Sequence, residues 1–127
     1  MVEKLVEVGI LFDFYGKLLS KKQFLVIELY YIHDLSLAEI GDELGITKQG
    51  VFDILRRAED KLYKYEKNLR LVEKFFSSHD CIRKILEISE EIMDIAEKNH
   101  MEDIYDKSLR INEISKEILN DSREVMG

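Results

Sequence analysis

Between Ser36 and Leu55 the chain runs SLAEIGDELGITKQGVFDIL, and few folds accommodate that spacing. Leu37, Ile40 and Leu44 recur at helical intervals and make the buried face of a first short helix. Gly45 follows where the chain must turn, in a backbone conformation with positive φ that strains any side chain. Ile46 plugs the corner and Thr47 caps a second helix, whose Val51, Ile54 and Leu55 face back onto the first. Gly41 stands where two backbones approach closely, a place for a residue without a side chain. The pattern is a helix-turn-helix, a unit that presents the start of its second helix to a groove.

The flanking sequence is helical as well. Leu5, Val8, Phe12, Tyr15 and Leu19 alternate spacings of three and four, which predicts an amphipathic helix over about residues 3–19. Ser20 with Gln23, and Ser36 with Glu39, have the spacing of capping boxes that open the second and third helices. The second should run to about His33, with apolar residues nearly all round and hence a central position. Asp34 and Leu35 make a tight link. Beyond Thr47 the seam Val51, Leu55, Ala58, Leu62, Tyr65, Leu69, Val72 and Phe76 has no glycine or proline after Gly50. It predicts one helix of roughly 30 residues, about 45 Å long, longer than the 35–40 Å expected for a globule of this size.

Ser77 and Ser78 mark the expected break, with Ser78 as N-cap and Asp80 in the first turn of a fifth helix. That helix carries Cys81, Ile85, Ile88, Ile92 and Ile95 at heptad spacing. After a short turn at Asn99 and His100, a sixth repeats Ile104, Ile111, Ile118 and Val125 every seven residues, with Ile114 between. The short connection makes these two an antiparallel hairpin. The expectation is an all-α protein: a helix-turn-helix bundle over residues 1–66, then an acidic helical hairpin over 67–127 continuous with the long fourth helix. The isoleucine heptads suit two roles, a core within one chain or an interface between two hairpins or two long helices across a two-fold axis. Because Leu62 to Phe76 lie beyond the N-terminal bundle, a homodimer is expected.

Composition narrows the function. Apolar residues make up 46% of 127 positions, enough for a core. No apolar run is long enough to span a bilayer, and the N-terminus has neither a basic head nor a cleavage site. The single cysteine, Cys81, excludes an intrachain disulfide and fits a buried core thiol in a reducing compartment. A cytoplasmic protein without membrane insertion is expected. The net charge is −7, whereas DNA-binding domains are usually basic. Within Thr47–Tyr65, however, Lys48, Arg56, Arg57, Lys61 and Lys64 face Asp53, Glu59 and Asp60, a local balance of +2. Bulk electrostatics therefore contributes little, and any nucleic-acid binding rests on this helix.

On that helix Thr47, Lys48, Gln49, Phe52, Asp53, Arg56 and Arg57 are left facing away from the core. Gln49 has the geometry to pair with adenine, and Lys48 or Arg56 to pair with guanine or hold a phosphate. Arg57 and Lys61 are placed for backbone phosphates. Phe52 suits a thymine methyl or an unpaired base. Asp53 either accepts from cytosine or pairs with Arg56 or Arg57 at helical spacing. The competing account is a structural three-helix unit whose polar face is simply solvated. Catalytic signals are weak. His33-Asp34, His79-Asp80-Cys81 and His100 with Glu102 and Asp103 hold metal-binding residue types without the paired spacing of a zinc site. With no glycine-rich phosphate loop or nucleophile elbow either, neither enzyme activity, nor a cofactor, nor a metal is expected.

Residues 12–62 closely resemble the N-terminal half of the YlxM family, small bacterial proteins with a helix-turn-helix similar to region 4 of sigma factors. The likeness rests on Phe14-Tyr15-Gly16, Lys22-Gln23, Leu29-Tyr30-Tyr31, Asp34-Leu35-Ser36-Leu37 and Arg57-Ala58-Glu59. Gly41 departs from it, since many such motifs have alanine there. Past about residue 70 the likeness is only to a variable acidic tail. The resemblance implies association with the signal recognition particle pathway and no catalytic residue or cofactor. By analogy with sigma region 4 it implies that Thr47, Lys48, Gln49, Asp53, Arg56 and Arg57 meet nucleic acid, either DNA or the RNA of the particle. The alternative it leaves open is a protein-interaction module that binds the particle's GTPase, or its receptor, through an acidic helical surface.

Overall fold

The computed structural model describes residues 2–126, with side chains over 3–121. Six α-helices follow one another: α1 (Val2–Tyr15), α2 (Lys21–Ile27), α3 (Leu37–Leu44), α4 (Lys48–Leu69), α5 (Leu71–Lys98) and α6 (Glu102–Met126). A 3₁₀ turn at Gly16–Leu18 follows α1, and a wide π-type turn at Glu28–Ile32 extends α2. No strand occurs among the described residues. The chain divides into two compact units, Met1–Val72 and Glu73–Gly127.

In the first unit α4 packs against α1, α2 and α3. Val8, Leu11, Tyr15, Leu19, Val26, Ile27, Ile40, Val51, Leu55, Ala58 and Leu62 form one buried cluster. Each such aliphatic side chain contributes about 1.5–3 kcal/mol on leaving water. The capping boxes close as the spacing predicts. Ser20 Oγ accepts from Gln23 N and Gln23 Oε1 from Ser20 N; Ser36 and Glu39 repeat the exchange at 3.1 and 3.0 Å. Leu5 departs from the expected buried face of α1 and is 49% exposed. The core of α2 narrows to Val26 and Ile27, while Leu25 and Ile32 lie at the surface. Its π-type extension ends at Ile32 with His33 as C-cap, and Asp34 then takes the left-handed conformation (φ 58°).

The long fourth helix ends sooner than its sequence suggests. It stops at Leu69, because Arg70 is left-handed (φ 55°) and its N–H caps Glu66 O at 2.8 Å. A new helix starts at Leu71 and runs unbroken through Ser77 and Ser78, so Ser78 caps nothing. Its first amides find side-chain partners outside the helix, one of them far away in the chain. Leu71 N–H donates to Tyr15 Oη at 3.1 Å and Val72 N–H to Glu66 Oε1 at 3.0 Å. Tyr15 Oη in turn donates to Glu66 Oε1 at 2.6 Å. A tertiary network thus does what a local N-cap does elsewhere.

The second unit is the hairpin of α5 and α6. His100 is left-handed (φ 56°), and Met101 N–H returns to Ala96 O at 2.8 Å in a Schellman-type turn. The isoleucine heptads are not its core. Ile85, Ile88, Ile95, Ile104, Ile111, Ile114 and Ile118 are 42–59% exposed, and Cys81 is exposed as well. Buried instead are Ser89, Ala96, Ser108, Asn112 and Ser115. Asn112 Nδ2 donates to Ser89 Oγ across the pair at 3.2 Å, and the serine hydroxyls bond to carbonyls of their own helices. The small polar side chains take the inner seam, and these isoleucines are turned outward. Val125 lies outside the residues whose side chains are described.

Candidate nucleic-acid interface

The turn between α3 and α4 sets how the second helix is offered. Gly45 is left-handed (φ 69°, ψ 34°) and ends α3. Ile46 N–H then returns to Gly41 O at 3.0 Å. A Cβ on Gly41 would lie 2.8 Å from Ile46 O, so the close approach is to the turn itself, and alanine does not fit without a shift. Thr47 is extended, and its Oγ1 accepts from Gly50 N–H at 3.0 Å, which starts α4. Val51 and Ala58 have no exposed surface and Leu55 is buried, which fixes the rotation of the helix.

That rotation leaves Thr47, Lys48, Gln49, Phe52, Asp53, Arg56, Arg57 and Lys61 all exposed. Lys48, Gln49, Phe52, Asp53 and Arg56 share the face over the first two turns, since residues three and four apart are neighbours. Asp53 pairs with neither Arg56 nor Arg57; its Oδ1 accepts from Gln49 Nε2 at 3.1 Å. Gln49 keeps its carbonyl oxygen and one N–H for a base edge, and the carboxylate is partly satisfied. Lys61 is drawn aside. Its ammonium donates to Gln23 Oε1 at 3.1 Å, the same oxygen that closes the capping box of α2. It sits two turns from the leading face, apart from the other candidates.

A feature absent from the sequence reading lies beside this face. Phe52 and Arg56 form one wall of an open hollow of about 810 Å³ whose other walls include Lys4, Leu5, Tyr30 and Leu37. Tyr30 and Tyr31 meet edge to face at 5.0 Å. Tyr31 Oη donates to Glu59, which also pairs with Lys4 at 3.5 Å. Burial, reinforced by the Glu59 carboxylate, pushes the Tyr31 phenol far above the usual tyrosine range, so it remains a donor. Only the adjacent tyrosines hinted at this hollow, and their apolar pattern resembles a buried core.

Elsewhere the chemistry is sparse. Among the described residues, no three His, Cys, Asp or Glu side chains stand close enough to share a metal ion. His79 stacks on Phe75 at 4.4 Å. No described helix is long and apolar enough to cross a membrane.

The sequence model of the family described as "Putative helix-turn-helix protein, YlxM / p13 like" matches residues 2–102. The chain belongs to this family. A UPF0122 protein of Shouchella clausii is 42% identical over 85 residues, 67% of this chain and 78% of its own. One from Caldanaerobacter subterraneus is 50% identical over 78 residues, 61% of this chain and 67% of its own. One from Bacillus cereus is 42% identical over 92 residues, 72% and 84% of the two chains. No solved structure matches. The match of this YlxM / p13-like chain takes in both helices of the motif and all of α5. The family's helix-turn-helix agrees with the all-α fold found here and is consistent with nucleic-acid binding.

Proposed function

We propose that this protein is a non-enzymatic regulator of the signal recognition particle pathway, acting in the cytoplasm as a homodimer and contacting nucleic acid through α4. One observation carries the nucleic-acid reading. The first two turns of α4 present Lys48, Gln49, Phe52 and Arg56 to solvent on one face, held there by Val51, Leu55 and Ala58. This is the face that a recognition helix puts into the major groove of B-form DNA. The link to the particle rests on the YlxM resemblance of residues 12–62.

The hollow beside Phe52 favours a second reading, the RNA of the particle. The deep major groove of an A-form helix is too narrow for α4, so an RNA partner must offer an unpaired base. Phe52 and Tyr30 supply ring faces for such a base, and Lys4 and Arg56 supply charge for its phosphate.

The test is fluorescence anisotropy with duplex DNA, the particle's RNA and the particle's GTPase across a salt series. The Arg56→Ala/Arg57→Ala variant is measured beside the wild type. The expected result is nucleic-acid binding whose log–log salt slope falls by about one for each phosphate contact removed. Binding of the GTPase alone, or nucleic-acid affinity indifferent to both substitutions, overturns the proposal in favour of a protein-interaction module.

A further inference from the structure

We propose that the isoleucine face of the α5–α6 hairpin seats a second copy of this chain. The two-fold axis runs parallel to the helices, so that α5 of each copy lies against α6 of the other. The face follows from the buried seam. Ile88 precedes Ser89, Ile95 precedes Ala96, Ile111 precedes Asn112 and Ile114 precedes Ser115. One residue back along a helix is a rotation of about 100°. In two antiparallel helices that turn their seams toward each other, this same rotation brings both isoleucine rows to one side of the pair. The hairpin therefore carries one largely apolar face built from both helices, interrupted at Lys107, which precedes the buried Ser108.

Its size suits a partner of its own dimensions. Seven isoleucines, each 42–59% exposed, leave on the order of 600 Å² of apolar surface on each copy, and a pair of such faces reaches the lower bound of specific interfaces, about 1,200 Å². A monomer rarely leaves so large an apolar patch bare.

The charges beside the isoleucines select a second copy and its orientation. The Asn112–Ser89 hydrogen bond sets the level of α6 against α5. With the axis parallel to the helices, Lys84 then meets Glu117 of the second copy, Glu91 meets Arg110, Asp94 meets Lys107 and Lys98 meets Asp103. Glu87 against Glu113 and Asp80 against Asp121 are the unfavourable pairs. All twelve residues are exposed in the single chain. A two-fold axis perpendicular to the helices, centred on the same patch, brings Lys84 to Lys98, Asp103 to Glu117 and Arg110 to itself. In that alternative only Lys107 meets an opposite charge, Glu113, while the other charged pairs are like with like, which disfavours it.

Sedimentation equilibrium of the full chain tests this at concentrations on the order of 100 μM. The expected mass is twice the 15.0 kDa of one chain. Ile88→Glu/Ile111→Glu should return the mass to that of one chain with an unchanged helical circular-dichroism signal. Lys84→Glu should weaken the dimer roughly tenfold, since symmetry places the pair twice, and adding Glu117→Lys should restore it. Should the isoleucine variant lose its helical signal, the charge exchange decides alone. A monomeric wild type overturns the proposal, as does a dimer that survives the isoleucine substitutions. Lys84→Glu that leaves the dimer unchanged, or is not rescued by Glu117→Lys, overturns the orientation.

Discussion

Tyr15→Phe removes a single oxygen from the junction at which α4 gives way to α5. The hydroxyl is the acceptor for Leu71 N–H and the donor to Glu66 Oε1. Tyr15 itself is 1% exposed, so phenylalanine keeps the ring packing and loses only the polar contacts. A hydrogen bond to a charged group contributes about 1.5–3 kcal/mol, and an amide left without an acceptor costs about 1–3 kcal/mol. Leu71 is 45% exposed, so water recovers part of the second term. The net expectation is a loss of about 2–3 kcal/mol.

Urea denaturation followed by circular dichroism measures this loss. Because the chain has two units, hydrogen exchange at Leu71 and Val72 N–H accompanies it, and both amides should exchange faster in the variant. Glu66→Gln is the control, since it keeps an acceptor and removes the charge, and it should cost less. The pH dependence supplies an independent check. Burial, then the Glu66 hydrogen bond, raises the Tyr15 phenol above its ordinary value near 10. A group whose pKa is raised on folding stabilises fully below its unfolded pKa and loses that contribution as pH rises through the folded one. The wild type should therefore lose stability above about pH 10, and Tyr15→Phe should lose less. Tyr31 and Tyr63 are raised too, so some alkaline slope remains. A Tyr15→Phe variant within about 0.5 kcal/mol of wild type, with both amides still protected, would refute the assignment of this network as the cap of α5.

Gly41→Ala should lower stability by about 1–3 kcal/mol, seen as a reduced thermal midpoint, because the new methyl meets the Ile46 carbonyl at 2.8 Å. The Ser36 backbone and side chain hold the Glu39 carboxyl below its ordinary 4.5. That contribution is present above the unfolded pKa and is lost as pH falls through the folded one. Wild type and Glu39→Gln should thus converge in stability on acidification, as acid titration of the unfolding midpoint would show. Asp53→Asn removes a carboxylate from the leading face of α4 and should tighten nucleic-acid binding roughly threefold at low salt. An unchanged anisotropy titration would place Asp53 away from the phosphates.

The parts of the fold legible in the sequence are those whose partners lie within a few residues. Ser20 with Gln23, Ser36 with Glu39 and Thr47 with Gly50 are local exchanges, and Gly45 is the residue a left-handed turn prefers. The end of α4 was hidden for the opposite reason. An arginine takes the left-handed position, and the cap comes from Tyr15, 56 residues before the amide it accepts from. The hairpin shows a different limit. Heptad periodicity identifies an apolar face without saying what covers it, and here two seams run side by side, one residue out of step. Isoleucine has the greater drive to leave water, yet Ser89, Ala96, Ser108, Asn112 and Ser115 take the interior. Their hydroxyls and amide are satisfied within the pair, so that burial carries little penalty. Such an arrangement is uneconomical for a chain on its own, since it leaves the stronger seam wet. It becomes favourable when the second seam is buried too, as it would be in the dimer proposed above.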